Sequence, residues 1–167
     1  MEGIVDTVLR LSNRQGGTRT FIPSSVDVLG VLSDLIPQLE SHYNRKIEIE
    51  KSDSVPTIFA DKELLVLLIS NLIRNIFRHT SREARAWITF AQPTKDFFTI
   101  KISDNGPGLS EERLAAANED KAESDSLGIG LNLCKQIARV SRMGLYFENL
   151  SEGGLCVHIT CPLNSSN

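Results

Sequence analysis

Asp104-Asn105-Gly106-Pro107-Gly108 follows a run, Phe97 to Ser103, that alternates as a strand does, so one carboxylate is carried into a turn built on two glycines. A carboxylate at a strand end can accept a hydrogen bond from the exocyclic amine of adenine, and Gly106 and Gly108 let backbone pass close to a flat base. Alone, the pattern also suits an ordinary turn, because Asp-Asn-Gly and Gly-Pro recur in connections of every kind. The neighbouring segments have to decide.

Upstream, Asp61 opens a helical pattern that runs to Thr80 and is apolar around most of its circumference, as in a largely buried helix. Asn71 and Asn75 stand four apart and Arg78 three further on, so the three share a face. A buried amide needs a partner. Carboxamide oxygens are hard ligands suited to Mg²⁺ and a nearby arginine suits phosphate, while capping of neighbouring loops is the plainer use of the same side chains. Downstream, Ser126-Leu127-Gly128-Ile129-Gly130-Leu131 runs into a helical pattern, Asn132 to Arg142, with Leu133, Ile137 and Val140 in register. A glycine turn opening a helix can cradle phosphate on free backbone N–H groups, or be no more than a tight connection.

In this order the three segments resemble the ATP-binding catalytic domain of sensor histidine kinases, within the superfamily of gyrase-type ATPases, mismatch-repair ATPases and the clamp-like heat-shock chaperone. Asn71-Leu72-Ile73-Arg74-Asn75-Ile76-Phe77-Arg78-His79-Thr80 resembles the family's asparagine box, Asp104 to Leu109 its first glycine box, and Gly128-Ile129-Gly130-Leu131 its second. Glu152 to Leu163 is similar to the Gly-Gly turn and last strand that close such domains. The resemblance implies ATP and Mg²⁺ as cofactors. It implies that Asp104 reads adenine, with Gly106 and Gly108 beside the base, and that Asn75 holds the metal with Asn71 supporting its water shell. Arg78 meets phosphate, His79 neighbours the nucleotide, Gly128, Ile129, Gly130 and Leu131 form the phosphate loop, and Lys121 is a lid contact.

Members of the superfamily that activate water or a hydroxyl carry a glutamate four residues before the metal-binding asparagine, a position held here by Asn71. The exchange favours a kinase acting on imidazole, already a nucleophile when neutral. Two features depart from the family pattern. Ser126 stands where the second glycine box begins with another glycine, and Ser110 to Ser126 contains no aromatic residue where a phenylalanine-rich box is usual. That polar, acidic stretch reads as a short mobile lid with one helical turn at its start.

With 167 residues the chain buries on the order of 70% of its unfolded surface, enough for one core. Net charge is −3, and no basic run is interleaved with aromatics, which argues against nucleic acid as a partner. The apolar run Leu64 to Ile69 is too short to span a bilayer. Cys134, Cys156 and Cys161 form an odd set without Cys-x-x-Cys spacing and read as reduced core thiols; His42 and His158 read as surface or strand residues.

The expected architecture is an α/β two-layer sandwich of the Bergerat type, a mixed sheet of about five strands covered on one face by three helices. Residues 1–20 read as the tail of a preceding dimerisation helix, from the stripe Ile4, Val5, Val8, Leu9 and Leu11 ended by Gly16-Gly17, and residues 21–167 as the ATP-binding domain. Ser24 or Ser25 is expected to cap a helix reaching Tyr43, with strands at Ile47–Glu50, Thr57–Ala60, Ala86–Ala91, Phe97–Lys101, Leu145–Glu148 and Leu155–Cys161. By resemblance this is the cytoplasmic catalytic piece of an inner-membrane sensor, with a histidine-bearing dimerisation domain of the same protein and a response regulator as partners, and the membrane met only through other parts of that protein. No acceptor-histidine box occurs, so no protein nucleophile is expected in this chain. A regulatory nucleotide-binding module, anti-sigma-like or a degenerate kinase, is the alternative.

Overall fold

The computed structural model describes residues 21–52, 54–121 and 124–164; the expected dimerisation-helix tail, 1–20, lies outside them. The fold is organised around the helix that carries the asparagines. Asp61, almost wholly buried, caps it by accepting from the N–H groups of Glu63 at 3.1 Å and Leu64 at 3.2 Å, and its other oxygen accepts from Ile22 N–H. That helix, α2 (Lys62–His79), buries Leu64, Leu65, Leu68, Ile69, Leu72, Ile73 and Ile76. α1 (Val28–Tyr43) and α4 (Gly128–Val140) flank it, and α3 (Glu111–Asn118) packs on the sheet edge formed by β6 (Gly144–Asn149).

The main sheet has the order β2-β4-β5-β7-β6, from Glu48–Ile49, Ala86–Phe90, Phe97–Asp104, Leu155–Pro162 and Gly144–Asn149. β2 and β4 run parallel and every other pair is antiparallel, so the sheet is mixed, as expected. Ile88, Ile100, Ile102, Phe147, Val157 and Ile159 point into the helical layer and are buried, while Thr99, Lys101, His158 and Thr160 alternate onto the other face. The sandwich is therefore two-layered.

Two expectations are corrected. Ser24 and Ser25 do not cap a helix: they open β1 (Ser24–Asp27), which pairs with β3 (Thr57–Ala60) as a separate antiparallel ribbon, and α1 starts after Asp27. Burying Val26 against Ile58 in that ribbon outweighs the capping preference of serine. Among the described residues the three expected helices, α1, α2 and α4, cover the sheet, and α3 is added at its edge. The stretch read as a mobile lid with one helical turn contains the eight-residue α3, started by Ser110, which accepts from Arg113 N–H, and extended by Ala115, Ala116 and Ala117.

Gly154 ties the last hairpin to the site. Its φ of +107° is open to glycine, and a Cβ there would run into the carbonyl of Asp104. The Gly153-Gly154 turn is thus pressed against the end of β5, where the decisive carboxylate sits.

Candidate functional site

Asp104 ends β5 in register with Ala86 of β4, and only 4% of it is exposed. Its Oδ1 accepts from Gly106 N–H at 2.7 Å, so the glycine turn folds back on the carboxylate that precedes it. Burial pushes this carboxyl above the ordinary aspartate range, opposed by hydrogen bonds from the Gly106 and Leu155 backbone and by the charge of Arg45. A buried carboxylate of this kind gains from a polar ligand edge.

Above it lies a cavity of about 620 Å³, in the size range of small-ligand sites. Its floor is apolar, from Leu72, Ile76, Ile102, Leu155 and Val157. Asn75, Arg78 and His79 enter it from α2, Asp104, Gly108 and Leu109 from the first glycine turn, and Gly128, Ile129, Gly130 and Leu131 from the start of α4. Three segments separated by tens of residues therefore meet in one cavity.

Asn75 is half-buried, and its Nδ2 is fully enclosed without a hydrogen-bond partner. Its Oδ1 lies against Gly130, where a Cβ would stand 2.6 Å away, so the second glycine turn must lack a side chain for the asparagine to fit. An enclosed amide without a partner suits a ligand; because the two ends of an amide exchange by a flip, either a phosphate oxygen accepting from nitrogen or Mg²⁺ bound by oxygen would satisfy it. Gly128 begins α4 with no side-chain cap, which leaves N–H groups of that first turn free toward the cavity. Ile129 is 80% exposed.

Asn71, Gly106 and Lys121 do not line the cavity. Asn71 is buried one turn below Asn75 and donates from Nδ2 to Leu67 O at 2.8 Å, within its own helix. Gly106 sits behind Asp104, packed on the methyl group of Thr80. Lys121 is exposed, pairs with Glu119 at 2.8 Å and borders a separate small hollow with Lys135 and Arg139. His42 is exposed and His158 lies half-buried on β7, as read from the sequence.

Thr80, at the end of the asparagine box, and several residues outside the three motifs complete the site. Thr80 lines the cavity and is held by Arg45, whose Nη2 donates to its Oγ1 at 3.1 Å. Arg113 also lines it and, from α3, donates to the carbonyls of Ser126 and Leu127, both at 3.2 Å. Asn132 exchanges two hydrogen bonds with the backbone of Ser124, and Lys135 Nζ donates to Ala116 O and Glu119 O. Over its described residues the lid is anchored, because its backbone groups find partners on α4.

A family profile describing histidine kinase-, DNA gyrase B-, and HSP90-like ATPases matches residues 60–165, the segment that runs from the cap of α2 to the end of β7 and supplies the cavity. The chain belongs to this ATPase family. ATP is accordingly the ligand class of its fold. The ATPase domain is 29% identical over 115 residues to the adaptive-response sensory kinase SasA of Rippkaea orientalis, covering 65% of this chain and 29% of that protein. It is 27% identical over 153 residues to SasA of Crocosphaera subtropica, 87% of this chain and 39% of that protein. The chain thus spans well under half of these relatives. Among solved structures, the histidine kinase ThkA in complex with the response regulator protein TrrA superposes with a TM-score of 0.72 at 17% identity, over 96% of this chain and 46% of that one. That likeness is one of fold.

Proposed function

We propose that this chain is the nucleotide-binding catalytic domain of a two-component sensor histidine kinase, transferring the γ-phosphate of ATP to a histidine on a separate helical domain. The observation that carries the proposal is the charge of the cavity: among the described residues Asp104 is its one carboxylate, and it is spent on the strand end and its own turn. Asn71, at the position where hydrolysing relatives place a glutamate, is turned into its own helix. Among the described residues no carboxylate besides Asp104 lines the cavity, so the carboxylate base of a hydrolase is lacking and the site favours a nucleophile that needs none. A neutral imidazole is one.

Asp104 binds the adenine amine, Thr80 forms the wall beside it, and Gly106 backs the carboxylate from outside the cavity. Asn75 would hold Mg²⁺, consistent with its enclosed and unpartnered amide; when bound, the cation neutralises phosphate charge. Arg78 and the first turn of α4 orient the phosphates, and Ile129 and Arg113 exclude water at the rim. The kinases among its relatives, and the ThkA–TrrA complex, support a histidine-bearing dimerisation domain and a response regulator as partners. No helix among the described residues is long and apolar enough to cross a membrane; placement as the cytoplasmic part of an inner-membrane sensor belongs to this proposal.

The test is phosphotransfer in trans. Supplied with the helical histidine domain encoded in the same open reading frame and with radiolabelled ATP, the chain should label that domain through an acid-labile, base-stable bond, while alone it hydrolyses ATP barely above background. Brisk hydrolysis by the isolated chain, or an acid-stable phosphate on serine, would overturn the histidine kinase assignment. Binding without transfer would leave a regulatory nucleotide module.

A further inference from the structure

The face of the sheet turned away from the nucleotide cavity carries a second cluster. β6 and β7 pair so that Glu148 stands opposite Cys156, and Cys156 and His158, two apart on β7, share that face. His158 Nε2 lies 3.0 Å from Glu148 Oε1 and 3.5 Å from Cys156 Sγ. All three ligand atoms fall within 4.8 Å of one another.

Two uses of such a group are distinguishable by geometry. In a thiol–imidazole relay the sulfur and the carboxylate engage opposite ring nitrogens, so that a proton passes through the ring. Here both converge on Nε2. Convergence of sulfur, nitrogen and oxygen on one point is the arrangement of a coordination sphere. Tetrahedral zinc, with bonds of roughly 2.0–2.3 Å to these three donor types, spaces its ligand atoms about 3.3–3.7 Å apart, close to the 3.0 and 3.5 Å from the imidazole nitrogen to carboxylate and sulfur, and the third pair lies within 4.8 Å, in reach of a side-chain adjustment on binding. The donor set, one thiolate, one imidazole and one carboxylate, is borderline-soft and suits Zn²⁺ over Mg²⁺ or Ca²⁺.

We propose that Glu148, Cys156 and His158 form a zinc-binding site on the outer face of the sheet, with water as the fourth ligand. The side chain of Glu148 is 44% exposed and that of His158 18%, so the cluster opens to solvent on the β6 side while the cysteine anchors its floor. Binding requires the metal to displace the thiol proton to solvent and the imidazole to stay neutral. Tyr146 packs its ring edge-on to His158 at 5.6 Å and holds the imidazole orientation. The site is independent of the kinase reading. Leu155 and Val157, alternating with these ligands on β7, face the nucleotide cavity, so the two sites occupy opposite sides of one strand.

The test uses the reduced 167-residue chain, stripped with EDTA and titrated without nucleotide. Zinc, followed by calorimetry, should bind one ion per chain; cobalt should give a thiolate-to-metal charge-transfer band in the near ultraviolet. Cys134 and Cys161 are buried in the core with thiols pushed up to about 12 and cannot supply that band. Cys156→Ser should abolish it, and His158→Gln should weaken zinc on the order of tenfold or more. Should either variant fail to fold, Glu148→Gln at a partly exposed position should weaken zinc in the same way with an unchanged circular-dichroism spectrum. A chain with no charge-transfer band, or zinc affinity unaltered in a folded Cys156→Ser or Glu148→Gln protein, overturns the proposal.

Discussion

Arg45 holds Thr80 in place: its Nη2 donates to Thr80 Oγ1 at 3.1 Å and to Ala84 O at 2.9 Å, its Nη1 to Phe77 O at 3.3 Å, and its guanidinium lies 4.6 Å from the centroid of the Phe77 ring. One side chain from the loop after α1 thereby closes the C-terminal end of α2 and sets the wall beside Asp104 and Gly106.

Arg45→Met should therefore cost stability and ligand binding together. Losing these charge-assisted hydrogen bonds from a partly buried donor should lower unfolding free energy by about 2 kcal/mol in urea titrations, with weaker ATP binding by calorimetry. Arg45→Lys should rescue little, because an ammonium cannot reproduce the planar fork. Wild-type ATP affinity in Arg45→Met would show that Thr80 does not shape the adenine wall.

Gly130→Ala should separate binding from folding. The added methyl meets the movable end of Asn75, 2.6 Å from its Oδ1, and alanine favours the helix by about 0.5–1 kcal/mol. Thermal stability should hold or rise while ATP affinity in Mg²⁺ falls on the order of tenfold, about 1.4 kcal/mol. At Gly154 the outcome differs. Alanine there meets the backbone of Asp104 at a positive φ, so Gly154→Ala should lose about 3 kcal/mol or more of stability in the same denaturation assay.

Asp104→Asn should weaken ATP about 10- to 100-fold, the loss of one charge-assisted hydrogen bond, and GTP far less. Its effect on unliganded stability has a defined sign. Burial raises the native carboxyl pKa, so the native state holds its proton to higher pH than the unfolded chain, and stability is lost as pH climbs from the unfolded pKa through the native one, with no further loss above it. The stability difference should thus shift in favour of Asp104→Asn as pH rises from about 4, the ordinary aspartate pKa, through the raised native pKa, and be flat outside that window. Denaturation of both proteins across this range checks it; a shift the other way would mean the carboxylate is stabilised by its neighbours.

Lys135→Met should loosen the lid. Lys135 Nζ satisfies the C-terminal carbonyls of α3 at Ala116 and Glu119 from across the lid, with burial pulling its pKa down. Amide exchange in Glu111–Asn118 should accelerate on the order of tenfold, matching the loss of about 1 kcal/mol, while that of α2 is unchanged. Uniform acceleration in both helices would point instead to global destabilisation.

The asparagine helix, the strand-end aspartate and both glycine turns were legible in the sequence because each is a local pattern: a 3.6-residue apolar period behind a capping aspartate, a two-residue alternation ending in Asp104, and glycines where a helix must begin on bare backbone. The strands followed from the same periods, while the mixed five-stranded sheet was implied by the family resemblance, and Thr57–Ala60 pairs outside it. What the tertiary structure decided lies between segments. Asn71 and Asn75 share a helix face, yet one turn of about 5.4 Å along the axis puts Asn71 below the cavity, bonded to Leu67 O. Ser24 and Ser25 became strand because β3, more than thirty residues on, offered Val26 a partner. Arg45 and Thr80 are 35 residues apart, and Glu148 meets His158 only through the β6–β7 register. Local periodicity is written within a few residues and survives in the sequence; register and packing between distant elements are selected by burial of the whole core, and that selection assigned Asn75 to the cavity, Asn71 to its own helix and the outer cysteine to its histidine.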